Sequence, residues 1–532
     1  MADGYARQTG KPGVCCATTG PGATNLITGV SAAYENHIPL LVITAQTALE
    51  NFGRGALQES SCTGIDTVGM FKFCTRYSTL VSHVEQFERK LVAAIMAACQ
   101  SQPGPAHLSV PLELLRHPAP VALPSYDVAT LLQRPSLIDA EGVAILFRQI
   151  EQARKVVFVV GEGCHEAIGT LLELAFVLNA SVVTTPHGKG LVSPYHPLFR
   201  GVVGFAGHSS ARETLLDSQV DTVVAAGTSL GEWATNGWDA DALLNNKLIH
   251  VDAAEGNLTR SPMARLHVRG RISSIFEQLL DALYQRRGVD TSGNRVAAIP
   301  LPGSIEDRGG REPELHFRLD SEAGYRDDAV PIKPQRLMRE LTRLFPPNAR
   351  YLTDSGNSIV WAIHYLHPRD RRMTGKRSTT AGLFRGCFEF AAMGWAIGAA
   401  IGTALGGGAG PVVCLTGDGS LLMNGQELTV AVQEHLPVIF VVLNDSALGM
   451  VKHGQRLARA EPVGYALPEI DYSVYAETMG AAGYVIRSSG DLRALDIDAI
   501  CARAGPTLLD VRIDPEEVPP MQTRMKVLEG MA

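Results

Sequence analysis

The chain has 532 residues, of which 45% are hydrophobic and 19% charged, and a net charge of −7 at pH 7. That length exceeds a single hydrophobic core and points to about three domains, and the acidic balance without basic clusters excludes a nucleic-acid footprint. Nine cysteines without metal-ligand spacing, no apolar run of membrane-spanning length and no signal-peptide pattern in MADGYARQTG lead to the expectation of a cytoplasmic, enzyme-sized protein without membrane or nucleic-acid partners.

The first block, residues 1–123, alternates apolar strands at Gly13–Ala17, Leu40–Thr44 and Ala106–Val110 with helical stretches. Prolines from Pro118 to Pro124 suggest a linker. The second block, residues 136–283, opens with a helix ending near Ala153, then the strand Val156–Val160 and Gly161-Glu162-Gly163. Further strands are expected at Ser181–Thr184, Thr222–Ala226 and Lys247–Val251. A charged, Gly/Pro-rich stretch from Arg286 to Pro331 has the composition of a long linker. The third block is residues 331–532. Alternating β and α elements predict an α/β protein with three doubly wound parallel sheets.

The most informative segment lies in the third block. Val412 to Leu415 form a buried strand that stops at Gly417-Asp418-Gly419-Ser420. A helical stretch is expected from about Leu421 to Glu434, and a second strand, Val438 to Leu443, stops at Asn444-Asp445. A parallel sheet then brings Asp418 and Asp445 to the carboxyl ends of neighbouring strands, the edge where open α/β sheets bind ligands. Two hard oxygen ligands beside a glycine turn and a helix N-terminus suit a magnesium ion carrying a phosphate.

GDGS followed by Asn-Asp, with Asp418 and Asp445 27 positions apart, resembles the motif of the thiamine diphosphate enzymes. LNDSALGMV is most similar to the acetolactate synthase branch, which usually has a second Asn where Asp445 stands. The resemblance implies a pyrimidine-binding, a central Rossmann-like and a diphosphate-binding domain. It implies magnesium on Asp418, Asp445 and the Ala447 carbonyl, with Gly417, Gly419 and Ser420 at the cofactor. YLTDSGNSIVWA is similar to the diphosphate loop and adds Gly356, Asn357 and Ser358. CFEFAAMGWAIGAA is similar to the segment gripping the aminopyrimidine, with Ala391 offering its carbonyl and Met393 a fulcrum. TGPGATN, containing Pro21, Gly22 and Asn25, resembles the loop facing the reactive ring. Gln58 in ALQES matches a position beside the active site and is the candidate catalytic residue.

The implied activity is thiamine-diphosphate-dependent decarboxylation of a 2-keto acid and its joining to a second keto acid or aldehyde. A simple keto-acid decarboxylase and a non-catalytic homologue are the alternatives. The resemblance also implies a homo-oligomer, dimer or tetramer, whose subunits share each site. The family's catalytic glutamate lies just before the position matching Met1, so the expected reading is a sequence that begins late in that domain. Neither Glu35 nor Glu59 stands at the matching position. Gly454 occupies the place of a substrate-selecting tryptophan. GTSLGEW stands where flavin-binding relatives have a run rich in arginine and aspartate, and Gly161-x-Gly163 alone does not support FAD. Lys452, His453 and Arg456 suggest a solvated helix face in preference to a carboxylate-binding site.

Overall fold

A computed structural model of the chain describes residues 1–61, 63–100, 102–118, 130, 132, 137–288, 314–370, 372 and 382–521. The strands, in chain order, are β1 (Gly13–Ala17), β2 (Leu40–Gln46), β3 (Tyr77–Leu80), β4 (Pro105–Pro111), β5 (Val156–Val160), β6 (Ser181–Thr184), β7 (Phe199–Val202) and β8 (Thr222–Ala226). They continue with β9 (Leu248–Asp252), β10 (Leu266–Arg269), β11 (Arg350–Thr353), β12 (Phe384–Gly386), β13 (Val412–Gly417), β14 (Val438–Asn444), β15 (Ala482–Ile486) and β16 (Thr507–Arg512).

These form a four-stranded sheet, β1-β2-β4-β3, and two six-stranded sheets, β10-β9-β8-β5-β6-β7 and β12-β11-β13-β14-β16-β15. Pairing between the named strands is parallel, from Gly13 opposite Leu40 in the first sheet to Val412 opposite Val438 in the third. Parallel sheets covered by helices on both faces bury every strand position. Hence VVFVV of β5 is buried throughout. Its alternate residues feed two different cores: Val156, Phe158 and Val160 join one cluster, Val157 and Val159 the other.

The expected strands all form. The sequence reading missed β11 and β16 inside the third sheet and, at sheet edges, β3, β7, β10, β12 and β15. There the apolar pattern is weakest, as YSTL, FRGV and LHVR show. The helix expected from Leu421 instead starts at Asp418 and ends at Asn424. A 3₁₀ turn at Gly425–Glu427 follows, and then a second helix, Leu428–Gln433. Asn424-Gly425 is a poor helix pair, and Asp418 suits the first helical position, its carboxylate accepting from the Gly419 N–H at 2.7 Å at the positive end of the helix.

The chain forms two compact units, residues 1–135 with 387–407, and residues 136–386 with 408–532. Segment Cys387–Gly407 therefore belongs with the first block. Its helix, Trp395–Leu405, is built from small residues and packs against the helix Ala2–Thr9, with the Thr403 hydroxyl donating to the Gly4 carbonyl at 3.3 Å. The expected linker after Arg286 also changes character. Residues 289–313 lie outside the described residues, but from Glu314 onward the chain is part of the second unit. Phe317 is buried edge-on against Phe199, with ring centres 5.5 Å apart. Of the expected linker Pro118–Pro124, all but Pro118 lies outside the described residues.

Candidate active site

In the third sheet β11 has β12 on one side and β13 on the other, so the winding direction reverses between β11 and β13. The crevice outside the carboxyl ends at such a reversal is the ligand position of open α/β sheets. Three neighbouring strands end there in loops: Asp354–Ser358 after β11, Gly417–Ser420 after β13, and Asp445–Gly449 after β14.

The first loop is held by buried Asp354, which takes the Ser355 N–H at 3.0 Å on one oxygen and the Thr416 hydroxyl at 2.9 Å on the other. Gly356 follows with φ 87° and caps the helix Asn357–Tyr365, and nothing stands within 4 Å of where its side chain would be. Only glycine adopts this turn without strain, and it leaves the helix N-terminus open. The Oδ1 atom of Asn357 is buried without a hydrogen-bond partner. The Ser358 hydroxyl is committed to the Asp354 carbonyl at 2.8 Å, so its backbone N–H is what it has to offer a ligand.

Asp418 is 2% exposed, and its Oδ2 makes no hydrogen bond. Burial and the nearby Asp445 carboxylate push its pKa up to about 7, against the opposing N–H groups of Gly419, Ala447 and Ser446. Burial likewise raises Asp445 to about 6, with the Ala447 N–H and Lys452 opposing. Two carboxylates that resist ionisation in each other's company are relieved by a cation between them. Among the described residues no three His, Cys, Asp or Glu side chains converge as a metal cage. Two carboxylates with backbone carbonyls, leaving room for water and phosphate oxygens, is the donor set that fits Mg2+.

The third loop closes on the first at Gly449. A side chain there would lie 2.5 Å from Asn357 Nδ2 and 2.8 Å from Asp445 Oδ2. We expect Gly449→Ala to displace both groups and weaken binding of magnesium diphosphate at least about tenfold, as loss of a ligand-orienting contact does. Calorimetric titration measures it, and unchanged affinity would show that these loops do not form one site.

The first unit holds the other predicted residues. The Thr19 hydroxyl donates to the Gln58 carbonyl at 2.8 Å, and the Gly20 N–H to the Ser60 hydroxyl at 2.9 Å. Gln46 fixes Ser60 through its carbonyl at 2.7 Å and its N–H at 3.1 Å. The loop of Pro21, Gly22 and Asn25 is thus tied to that of Gln58, an exposed residue with φ 57°. Ala391 also has φ 50°, a conformation that costs a non-glycine residue energy. It lies in a turn whose Ala391 and Ala392 N–H groups face the buried Cys387 thiol. Met393 is half-buried in the same turn.

The sequence matches three family descriptions: "Thiamine pyrophosphate enzyme, N-terminal TPP binding domain" over residues 1–68, "central domain" over 143–279 and "C-terminal TPP binding domain" over 354–511. The acetolactate synthase isozyme 3 large subunit of Escherichia coli is 30% identical over 98% of this chain and 88% of its own. The Haemophilus influenzae acetolactate synthase large subunit is 28% identical over 100% and 88%, and the Arthrospira platensis acetolactate synthase 28% over 97% and 85%.

The chain belongs to the thiamine pyrophosphate enzymes. Within them it is of acetolactate synthase-like type. In this thiamine pyrophosphate enzyme, Lys452 and Arg456 both pair with Glu516, at 2.8 and 3.1 Å, and so are engaged with the protein itself. His453, grouped with them on the expected solvated face, is instead 1% exposed. Glu59 accepts from Ser61, from Thr63 and from the Gly53 N–H, contacts that hold its carboxyl near pKa 2, unsuited to proton abstraction at neutral pH.

In the central sheet the winding reverses between β5 and β8, yet the strand ends there pack on each other. The Gly163 N–H donates to the Gly227 carbonyl at 2.9 Å, and a side chain on Gly161 would meet that carbonyl at 2.1 Å. The Asp252 carboxylate is taken up by its own loop, Ala254 N–H and Asn257 Nδ2.

Two residues of the site escaped the sequence reading. Asp354 joins the first two loops. Asp510, on β16, accepts from Asn444 Nδ2 at 2.8 Å, while Asn444 Oδ1 accepts from the Ser446 N–H at 3.3 Å. The acid directly after a strand in YLTDSGN was a usable signal for Asp354. Nothing local marks Asp510.

Proposed function

We propose that this protein decarboxylates pyruvate and joins the remaining two-carbon unit to a second 2-keto acid or an aldehyde. The buried, unpartnered Oδ2 of Asp418 beside Asp445, in a chain matched by all three thiamine pyrophosphate enzyme domains, carries the reading. Thiamine diphosphate, when bound, supplies the nucleophilic carbon that adds to the keto group. The chain's own residues hold and orient it. Asp418, Asp445 and the Ala447 carbonyl ligate magnesium. Backbone N–H groups of Gly417–Ser420 and of the open helix start at Gly356–Ser358 receive the diphosphate oxygens. The carbonyl of Ala391 receives the pyrimidine amino group, Met393 bends the cofactor, and Pro21, Gly22, Asn25 and Gln58 line the reactive face. The strained backbone at Ala391 and Gln58 supports that assignment.

The test is product analysis of pyruvate turnover. Acetolactate or a mixed acyloin is expected. Acetaldehyde alone would replace this reading with simple decarboxylation, and cofactor binding without CO2 release would replace both.

The working unit is a homo-oligomer, at least a dimer. Support comes from large apolar side chains left exposed on the chain. Leu57 and Phe73 of the first unit are 88% and 84% exposed, and Met423 of the second is 53% exposed. Sedimentation of the active enzyme should give a dimer or tetramer, and turnover by a strictly monomeric species would refute it. No described helix is long and apolar enough to cross a membrane. A cytoplasmic location is proposed with the rest.

A further inference from the structure

Away from the loops described above, the second unit contains a cavity of about 20 Å³, room for one or two water-sized groups. Its walls are apolar at Val192, Phe199, Val202 and Leu383. Lys189 lines it, is 6% exposed, and has its Nζ 5.5 Å from the centre of the Phe384 ring. No described residue accepts a hydrogen bond from that Nζ. The one carboxylate on the wall, Asp370, is spent on Arg372, with contacts of 2.7 and 2.8 Å to its two oxygens.

Three imidazoles surround the lysine, and two are fixed as neutral rings. His208 accepts the Val202 N–H at 3.0 Å and so donates to the His364 carbonyl at 3.0 Å. His364 accepts the Asp320 N–H at 3.0 Å and so donates to the Ala206 carbonyl at 3.1 Å. His367, also on the cavity wall and 1% exposed, is different. Its Nε2 is buried with no partner. A buried cation without a counter-charge and a buried imidazole nitrogen without a bond are both costly unless something is bound between them.

We propose that Lys189 and His367 hold a small monovalent anion of halide size in this cavity. The ammonium supplies the charge and donates to the anion. Occupancy draws a proton onto His367, whose Nε2–H becomes a second donor. The wall combines the turn at Lys189 with His367, Asp370 and Phe384 of the third block, so the anion ties the central and diphosphate-binding parts of the second unit together. Without an anion, burial lowers the Lys189 pKa to about 7 and holds His208 and His367 well below the ordinary histidine value. Binding therefore requires proton uptake, and affinity falls at least about tenfold for each pH unit above neutrality.

The probes are bromide and chloride. Crystals of the whole protein soaked in sodium bromide near pH 6 should show one anomalous peak between Lys189 Nζ and His367 Nε2. In solution, chloride-35 line broadening should saturate near pH 6.5 and lose at least tenfold in affinity by pH 8.5. The same loss is expected in Lys189→Met at pH 6.5. A soaked crystal without the peak means a neutral lysine beside water and overturns the proposal. Broadening unchanged by pH or by the substitution overturns it as well. The wild-type crystal and pH series stand even where the variant fails to fold.

Discussion

Replacing Asp418 by alanine is expected to abolish retention of magnesium and thiamine diphosphate, lowering affinity by about two orders of magnitude or more. Loss of partners that only orient metal ligands already costs about 10–100-fold, and Asp418 is placed as a direct ligand. Asp445→Asn should be mild, because an amide oxygen still ligates a hard cation. Asparagine at position 418 separates binding from folding. In the metal-free protein the Asp418 carboxyl has its pKa raised from 3.8 to about 7. Between those values the folded chain keeps a proton that the unfolded chain has lost, so this group's contribution to stability falls as pH rises from about 4 to 7 and stays low above that. Each pKa unit corresponds to about 1.4 kcal/mol, which makes the penalty at pH 8 a few kcal/mol in order of magnitude. Asp418→Asn removes it. Metal-free Asp418→Asn should therefore melt several degrees above the wild type at pH 8 and at the same temperature at pH 4, while its magnesium affinity is weaker than the wild type's at pH 8 and loses the rise with pH. Wild-type magnesium affinity should rise across the window in which the metal-free fold weakens. Thermal melts and calorimetric titrations at pH 4, 6 and 8 measure both. Equal melting temperatures at pH 8 would show that the two carboxylates are not crowded, and metal binding by Asp418→Ala would remove the ligand assignment.

The second large effect is on the residue behind the metal loop. Asp510 is fully buried, and burial outweighs the Arg512 guanidinium beside it to hold its carboxyl above the usual range. One oxygen takes Asn444 Nδ2; the other takes the Tyr472 N–H at 3.1 Å and Arg512 at 2.8 Å. Asp510→Ala leaves the Asn444 amide and the Tyr472 N–H buried and unsatisfied, each worth about 1–3 kcal/mol. A loss of about 3 kcal/mol or more is expected, together with weaker magnesium binding because Asn444 no longer steadies the turn to Asp445. Asp510→Asn retains an acceptor and needs no buried charge, so it should cost clearly less. Denaturant unfolding of the two variants gives the comparison, and equal losses would place the effect in packing rather than in these hydrogen bonds.

The sequence by itself determined the α/β class, most strands of the sheet centres and the cofactor family. A fully buried parallel strand is a near-continuous apolar run, as VVFVV and VIFVVLN are, and the acid or glycine turn that ends it is visible one residue later. Asp418 and Asp445 were legible for that reason, since each directly follows or closes such a run. Most edge strands were not, because half of their pattern is polar, and neither were β11 (RYLT) and β16 (TLLDVR), whose apolar runs are short or broken by a charge. Only the tertiary structure decided three things. Segment Cys387–Gly407 folds with the first unit, because its Ala/Gly surface admits the helix Ala2–Thr9. The open crevice lies between β11 and β13, whereas the equivalent reversal between β5 and β8 is closed by backbone contact, a difference set by strand order and loop path rather than by any local motif. Asp510 lies 66 positions from Asn444 and meets it only through the pairing of β14 with β16. Hydrogen bonds of that range depend on register, which a single chain's composition and spacing do not encode locally.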